Sequence, residues 1–109
     1  GAARAAARGK DVIFRGAPHV AVVHAPDTGI TPALDAAIAG AWLEIVAAAA
    51  GYGACWCGYL VFALDAHPPL GTLLGVPEGH KGYAALLLGR RAARPLAIPP
   101  RDMPPVTFF

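Results

Sequence analysis

Serine, asparagine and glutamine do not occur in this chain of 109 residues, and their absence removes whole classes of chemistry. A Ser-His-Asp triad is excluded, because no serine is there to attack. Lysine is scarce as well: Lys10 and Lys81 stand beside arginines that are scattered, apart from Arg90, Arg91 and Arg94. The net charge is only +2. Without a dense basic stripe interleaved with aromatics, nucleic acid is not an expected partner. Cysteine is limited to Cys55 and Cys57. Two thiols flanking Trp56 are too few for a secreted disulfide framework and poorly placed to bridge each other. Residues 1–10 lack the apolar core of a signal peptide. A reduced, cytoplasmic setting is the expectation.

What is present is apolar but small. Hydrophobic residues make up 56% of the chain and charged ones 15%, which excludes disorder driven by low hydrophobicity and high charge. Much of the apolar fraction is alanine, against four Phe, three Tyr and two Trp. A chain of this size buries about 60–70% of its unfolded surface, and alanine adds little to that core. Such a composition predicts half an interface rather than a self-sufficient domain.

Along the chain, Val12-Ile13-Phe14 is a short apolar run before the turn signal Arg15-Gly16-Ala17-Pro18. His19 to His24 is β-branched and continuously apolar in its interior, which predicts a strand buried on both faces. The clearest helix follows, from Pro32 to about Ala50. Thr31 is a candidate N-cap, Pro32 suits the first helical position, and Asp35 lies in the first turn where the helix dipole favours it. Gly51 is a candidate left-handed stop. Leu34, Ile38, Trp42, Leu43, Ile45 and Val46 surround nearly the whole circumference, so the helix should be buried all round. It has the length of a membrane span. Asp35, Glu44 and the alanine content argue for a soluble helix instead.

The segment from Gly51 to Tyr59 is punctuated by glycines and reads as a short strand or extended loop. Leu60 to Ala66 suits one or two helical turns, and Pro68-Pro69 opens a short helix over Leu70 to Leu74. Lys81 to Gly89 predicts a second buried strand. Residues 95–109 are proline-rich and predict an extended tail rather than a packed element. Its β-prone end, Val106 to Phe109, is suited to joining a sheet edge, including one on another subunit.

Single-residue candidates are weighed against plainer roles. Cys55 and Cys57 would need two further ligands to hold a metal, and no histidine stands at zinc spacing. Buried structural thiols are the expectation and no metal is assigned, a small metal-binding module remaining the outlying alternative. His19 and His24 are read as structural. Gly51-Tyr52-Gly53 lacks the third glycine of a dinucleotide fingerprint. Its glycines fit close backbone approach to something flat or bulky. Arg101, on a stiff extended segment, is either a solvated charge or a phosphate contact.

In order and spacing, six stretches resemble the C-terminal part of the flavin-dependent nitroreductase family. They are Asp11-Val12-Ile13-Phe14-Arg15-Gly16-Ala17-Pro18 with Ala41-Trp42-Leu43-Glu44, Gly51 to Gly58, Leu74 to Lys81, Leu88-Gly89, and Ile98-Pro99-Pro100-Arg101. The branch with an N-terminal Fe–S ferredoxin module looks most similar. The cysteine runs of such a module are not in this chain, so no cluster is expected.

The resemblance implies an α+β fold with a mixed sheet and a long buried central helix at a dimer interface, FMN being held between subunits. It implies that Cys55, Trp56, Cys57 and Gly58 lie along the flavin, largely through backbone atoms, and that Arg101 meets the FMN phosphate. No side chain is implied as a catalytic acid or base, because the flavin carries the chemistry. The implied reaction is ping-pong, from NAD(P)H or another donor to a nitroaromatic or quinone-like acceptor. The family's arginine-rich N-terminal signature has no match here. Residues 1–109 are therefore expected to form one N-terminally truncated nitroreductase-like domain. Its partner would be a second copy or a chain supplying the missing half; the alternative is a fragment that no longer binds FMN.

Overall fold

The computed structural model describes residues 4–5, 7–94 and 96–109. Its elements in chain order are strand β1 (His19–Pro26), helix α1 (Pro32–Ala49), strand β2 (Tyr52–Trp56), helix α2 (Gly58–Ala66), helix α3 (Pro69–Leu73) and strand β3 (His80–Arg90). The three strands form one sheet in the order β1-β3-β2. Both pairings are antiparallel. The α+β class is as expected, whereas the expected mixed sheet is antiparallel throughout among the described residues. A parallel pair needs a long crossover into a further strand, and no such strand is among those described.

Strand β3 is central, so Ala84, Ala85, Leu86 and Leu87 are buried in succession on alternate faces. Ala85 and Leu87 join Cys57, Leu60 and Leu64 in a core beneath α2. Leu86 points the other way, beside its partner Trp56 and towards α1. The sheet thus lies between a long helix and two short ones. Strand β1 differs from its expected double burial. It is an edge strand with one neighbour, and His19 and His24 are exposed.

Helix α1 starts and stops close to where proline and glycine predicted. Gly51, at φ +85°, makes the left-handed exit. Thr31 does not cap through its side chain: its carbonyl accepts the Asp35 N–H, and its hydroxyl leans towards the Asp35 carboxylate at 3.4 Å. A single chain also does not bury this helix all round. Ala36, Gly40 and Ala47 are buried, while Leu34, Ile38, Trp42, Ile45 and Val46 are 51–63% exposed. With so much alanine elsewhere, the chain has no bulk left to cover that stripe.

The apolar run Val12-Ile13-Phe14 is a loop, and Asp11 shapes it. Its carboxylate accepts the N–H groups of Ile13 (3.2 Å), Phe14 (2.8 Å) and Gly16 (3.0 Å). Those bonds compete with a sheet ladder. Residues 96–109 carry no helix or strand, and Leu96, Ile98, Phe108 and Phe109 are almost fully exposed.

Candidate functional site

The site forms where β2 passes into α2. Pairing of Cys55 with Leu87 and Trp56 with Leu86 fixes the alternation. Cys55 therefore faces the α2 side and the Trp56 indole turns towards α1. The Cys57 N–H donates to the Ala85 carbonyl at 2.8 Å, and its buried thiol lies 3.6 Å from the Ile13 carbonyl oxygen. A cleft of about 600 Å³ opens here, lined by Ile13, Arg15, Cys55 to Tyr59, Phe62 and Leu87. That size lies within the usual range for small-molecule and cofactor sites.

Two contacts from α1 fix the indole behind the cleft. Trp56 Nε1 donates to Glu44 Oε2 at 2.8 Å. The ring lies so close over Gly40 that an added Cβ would stand 2.5 Å from Cη2 and 3.1 Å from Cζ3. Gly40 costs helix propensity in the middle of α1, and the close approach of the indole explains why it is there. The long helix therefore sets the pitch of the Cys55–Gly58 segment.

On the open side the cleft offers few polar groups. Leu60 and Val61 donate to the Cys57 carbonyl. Among the described residues, the Gly58 and Tyr59 N–H groups take no acceptor. They are the first two donors of α2, at its partially positive end. A Cβ on Gly58 would meet nothing within 4 Å, so a flat group can approach the backbone there. The cleft's cation is Arg15, which also lines the neighbouring groove with Gly53, Leu88, Arg90 and Arg91. Arg15 sits at φ +52°, the one described non-glycine residue in the left-handed region. That conformation is strained for a long side chain, and the Asp11 bonds on either side hold it.

Four of the expected site residues, Cys55, Trp56, Cys57 and Gly58, thus share one cleft. Arg101 lies on the exposed tail, and none of the described clefts includes it. Arg15 was missed because one cation before a glycine reads as turn punctuation; the arginine in the Arg15-Gly16-Ala17-Pro18 turn was the available signal. Both cysteines are free, Cys55 exposed and Cys57 buried. Among the described residues, no group of three or more His, Cys, Asp or Glu side chains gathers as a metal centre.

An apolar cleft with a single cation at a helix start is the kind of place where small molecules and cofactors bind. The nitroreductase family model matches residues 2–90, and the chain belongs to that family. Among solved structures, it is similar to an FMN-bound nitroreductase from Bacteroides fragilis NCTC 9343, with 26% identity and a TM-score of 0.74. That likeness covers 97% of this chain and 60% of the other. It is also similar to an FMN-bound nitroreductase from Desulfitobacterium hafniense DCB-2, with 28% identity and a TM-score of 0.69, over 90% of this chain and 54% of that one. The chain therefore spans less than two thirds of the length of either. No curated protein sequence matches it.

Proposed function

We propose that this chain is the flavin-contacting part of an FMN-dependent oxidoreductase of nitroreductase type. The observation that carries the reading is the cleft itself: apolar walls, a bare Gly58, two unpaired N–H groups at the start of α2, and one cation. Such a set fits FMN. Ile13, Phe62 and Leu87 offer apolar surface to a flat ring, and the Gly58 and Tyr59 N–H groups offer donors to its polar edge. Arg15 supplies positive charge beside the cleft, and Arg101 on the tail is the residue for the phosphate. Trp56 and Cys57 present backbone, their side chains being turned to α1 and the core, while Cys55 adds an exposed thiol on the α2 side. When bound, FMN supplies the electron transfer between NAD(P)H or another donor and a nitroaromatic or quinone-like acceptor. The protein's part is to bind, orient and shield, with no side chain needed as acid or base.

The partner in this reading is a second copy of the chain, and the setting is cytoplasmic. The open stripe of Leu34, Ile38, Trp42, Ile45 and Val46 is a contiguous apolar face on an alanine-rich helix, which suits close approach of an identical helix. Because Glu44 on that helix holds Trp56, dimerisation and the shape of the cleft are mechanically linked.

The test is steady-state kinetics on the FMN-reconstituted chain, with NADH or NADPH as donor and a nitroaromatic or a quinone as acceptor. Parallel double-reciprocal lines are expected, the signature of donor and acceptor using one site in turn. Protein that binds FMN but turns over neither acceptor with either donor would favour a non-catalytic partner subunit.

A further inference from the structure

Two of the four histidines meet where β1 ends and β3 begins, away from the candidate flavin cleft. His24 stands opposite Gly82, and His80 opposite Pro26. Alternation therefore places both imidazoles on one face of the sheet as diagonal neighbours. Their Nδ1 atoms are 2.9 Å apart, with ring centroids at 5.0 Å and planes at 65°. Among the described residues, neither ring has another hydrogen-bond partner. The nearby carboxylates are engaged elsewhere: Asp27 accepts from the Tyr83 hydroxyl at 2.6 Å, and Asp65 pairs with Lys81 at 2.6 Å.

We propose that His24 and His80 form a two-histidine site for a divalent ion of tetragonal preference, Ni²⁺ or Cu²⁺, with water in the remaining positions. The two strands hold the ring nitrogens close together, which favours an ion with cis positions. With metal–imidazole bonds of about 2.0 Å, nitrogens 2.9 Å apart subtend an angle of about 90°. That is the cis angle of a square-planar or octahedral centre, the geometry of Cu²⁺ and Ni²⁺ in nitrogen and oxygen sites. A tetrahedral zinc site would need the two nitrogens about 3.4 Å apart. In the pair as it stands one Nδ1 donates its proton to the other. His24 is exposed and His80 half-buried, so that proton can pass to Nε2 through water and both rings can turn their Nδ1 lone pairs onto one point. Both rings then carry their proton on Nε2. The two strands hold the backbones in place, so the pair is drawn together before the ion arrives.

The experiment titrates the full chain with Ni²⁺ by calorimetry and follows the histidine ring protons by NMR. One Ni²⁺ per chain is expected, with paramagnetic broadening of His24 and His80 and sharp signals from His19 and His67. Loss of a mere outer-shell partner costs a metal site about 10–100-fold, so His24→Ala or His80→Ala should each weaken binding at least tenfold. The NMR readout on the unaltered chain stands even if a variant fails to fold. Broadening of His19 or His67 instead, affinity unchanged in both variants, or zinc bound more tightly than nickel would each overturn the proposal.

Discussion

Replacing Gly40 by alanine sets two effects of opposite sign against each other, and their balance follows from where the Trp56 indole sits. In a free helix the change stabilises by about 1 kcal/mol, because glycine is that much poorer in a helix interior. Here the new Cβ would stand 2.5 Å from Cη2 and 3.4 Å from Cζ2 of Trp56. The ring must move, and forcing a methyl into packed surroundings costs about 1–3 kcal/mol. Moving the ring also strains its bond to Glu44, worth up to about 1.5–3 kcal/mol for a charged acceptor and less here because the pair is exposed. The net expectation is destabilisation by about 1–2 kcal/mol. Urea unfolding followed by circular dichroism, at fixed protein concentration, measures it. In a Trp56→Phe background the shorter ring vacates the space, and Gly40→Ala should recover most of its stabilising sign. A cycle showing equal stabilisation in both backgrounds would refute the clamp.

Other perturbations probe the remaining parts. Arg15→Ala and Arg101→Ala should each weaken FMN by about 1.5–3 kcal/mol, the worth of a hydrogen bond to a charged group, measured by quenching of flavin fluorescence. An unchanged dissociation constant would remove that residue from the site. The Asp11 carboxyl is held below its ordinary value of 3.8, chiefly by the N–H of Gly16 and next by that of Phe14. Its contribution to the Arg15 turn is therefore complete above about pH 3.8 and lost as pH falls through the lower folded value. The Gly16 amide shift should titrate with a midpoint below 3.8 and lose that step in Asp11→Asn; a midpoint at or above 3.8 would contradict the bonding. Ile38→Asp, on the open stripe of α1, should convert a dimer into monomer in sedimentation velocity. A dimer that survives it would place the interface elsewhere.

The parts of the molecule legible in the sequence are those written in local chemistry. Pro32 and Gly51 bracket α1 because one presets a helical φ and the other takes the left-handed exit. The apolar run through Leu86 reads as a buried strand because it is covered on both faces. What stayed hidden depends on partners far apart in the chain. Val12 to Phe14 has an apolar, β-branched start, yet the carboxylate of the preceding Asp11 takes the N–H groups of Ile13 and Phe14. Gly40 looks like a weak point in a helix until Trp56, sixteen positions on, is seen lying over it. His24 and His80 are 56 positions apart and meet only through the register of β1 and β3. Of the candidate site, the Cys55–Gly58 segment came from the resemblance to the nitroreductase family, and the fold places its four residues along one cleft. Arg15 was not legible, because its place at the cleft depends on a turn that Asp11 holds and on the fold that brings that turn beside Cys55.

The central claim is that the Cys55–Gly58 cleft takes FMN in a dimer of this chain. Titration of the flavin-free chain with FMN, followed by flavin fluorescence and read with sedimentation velocity on the same samples, tests it most directly. Saturation at one FMN per chain, on a species of twice the chain mass, is the predicted result. A folded chain that stays colourless and leaves added FMN fluorescence unchanged would contradict it.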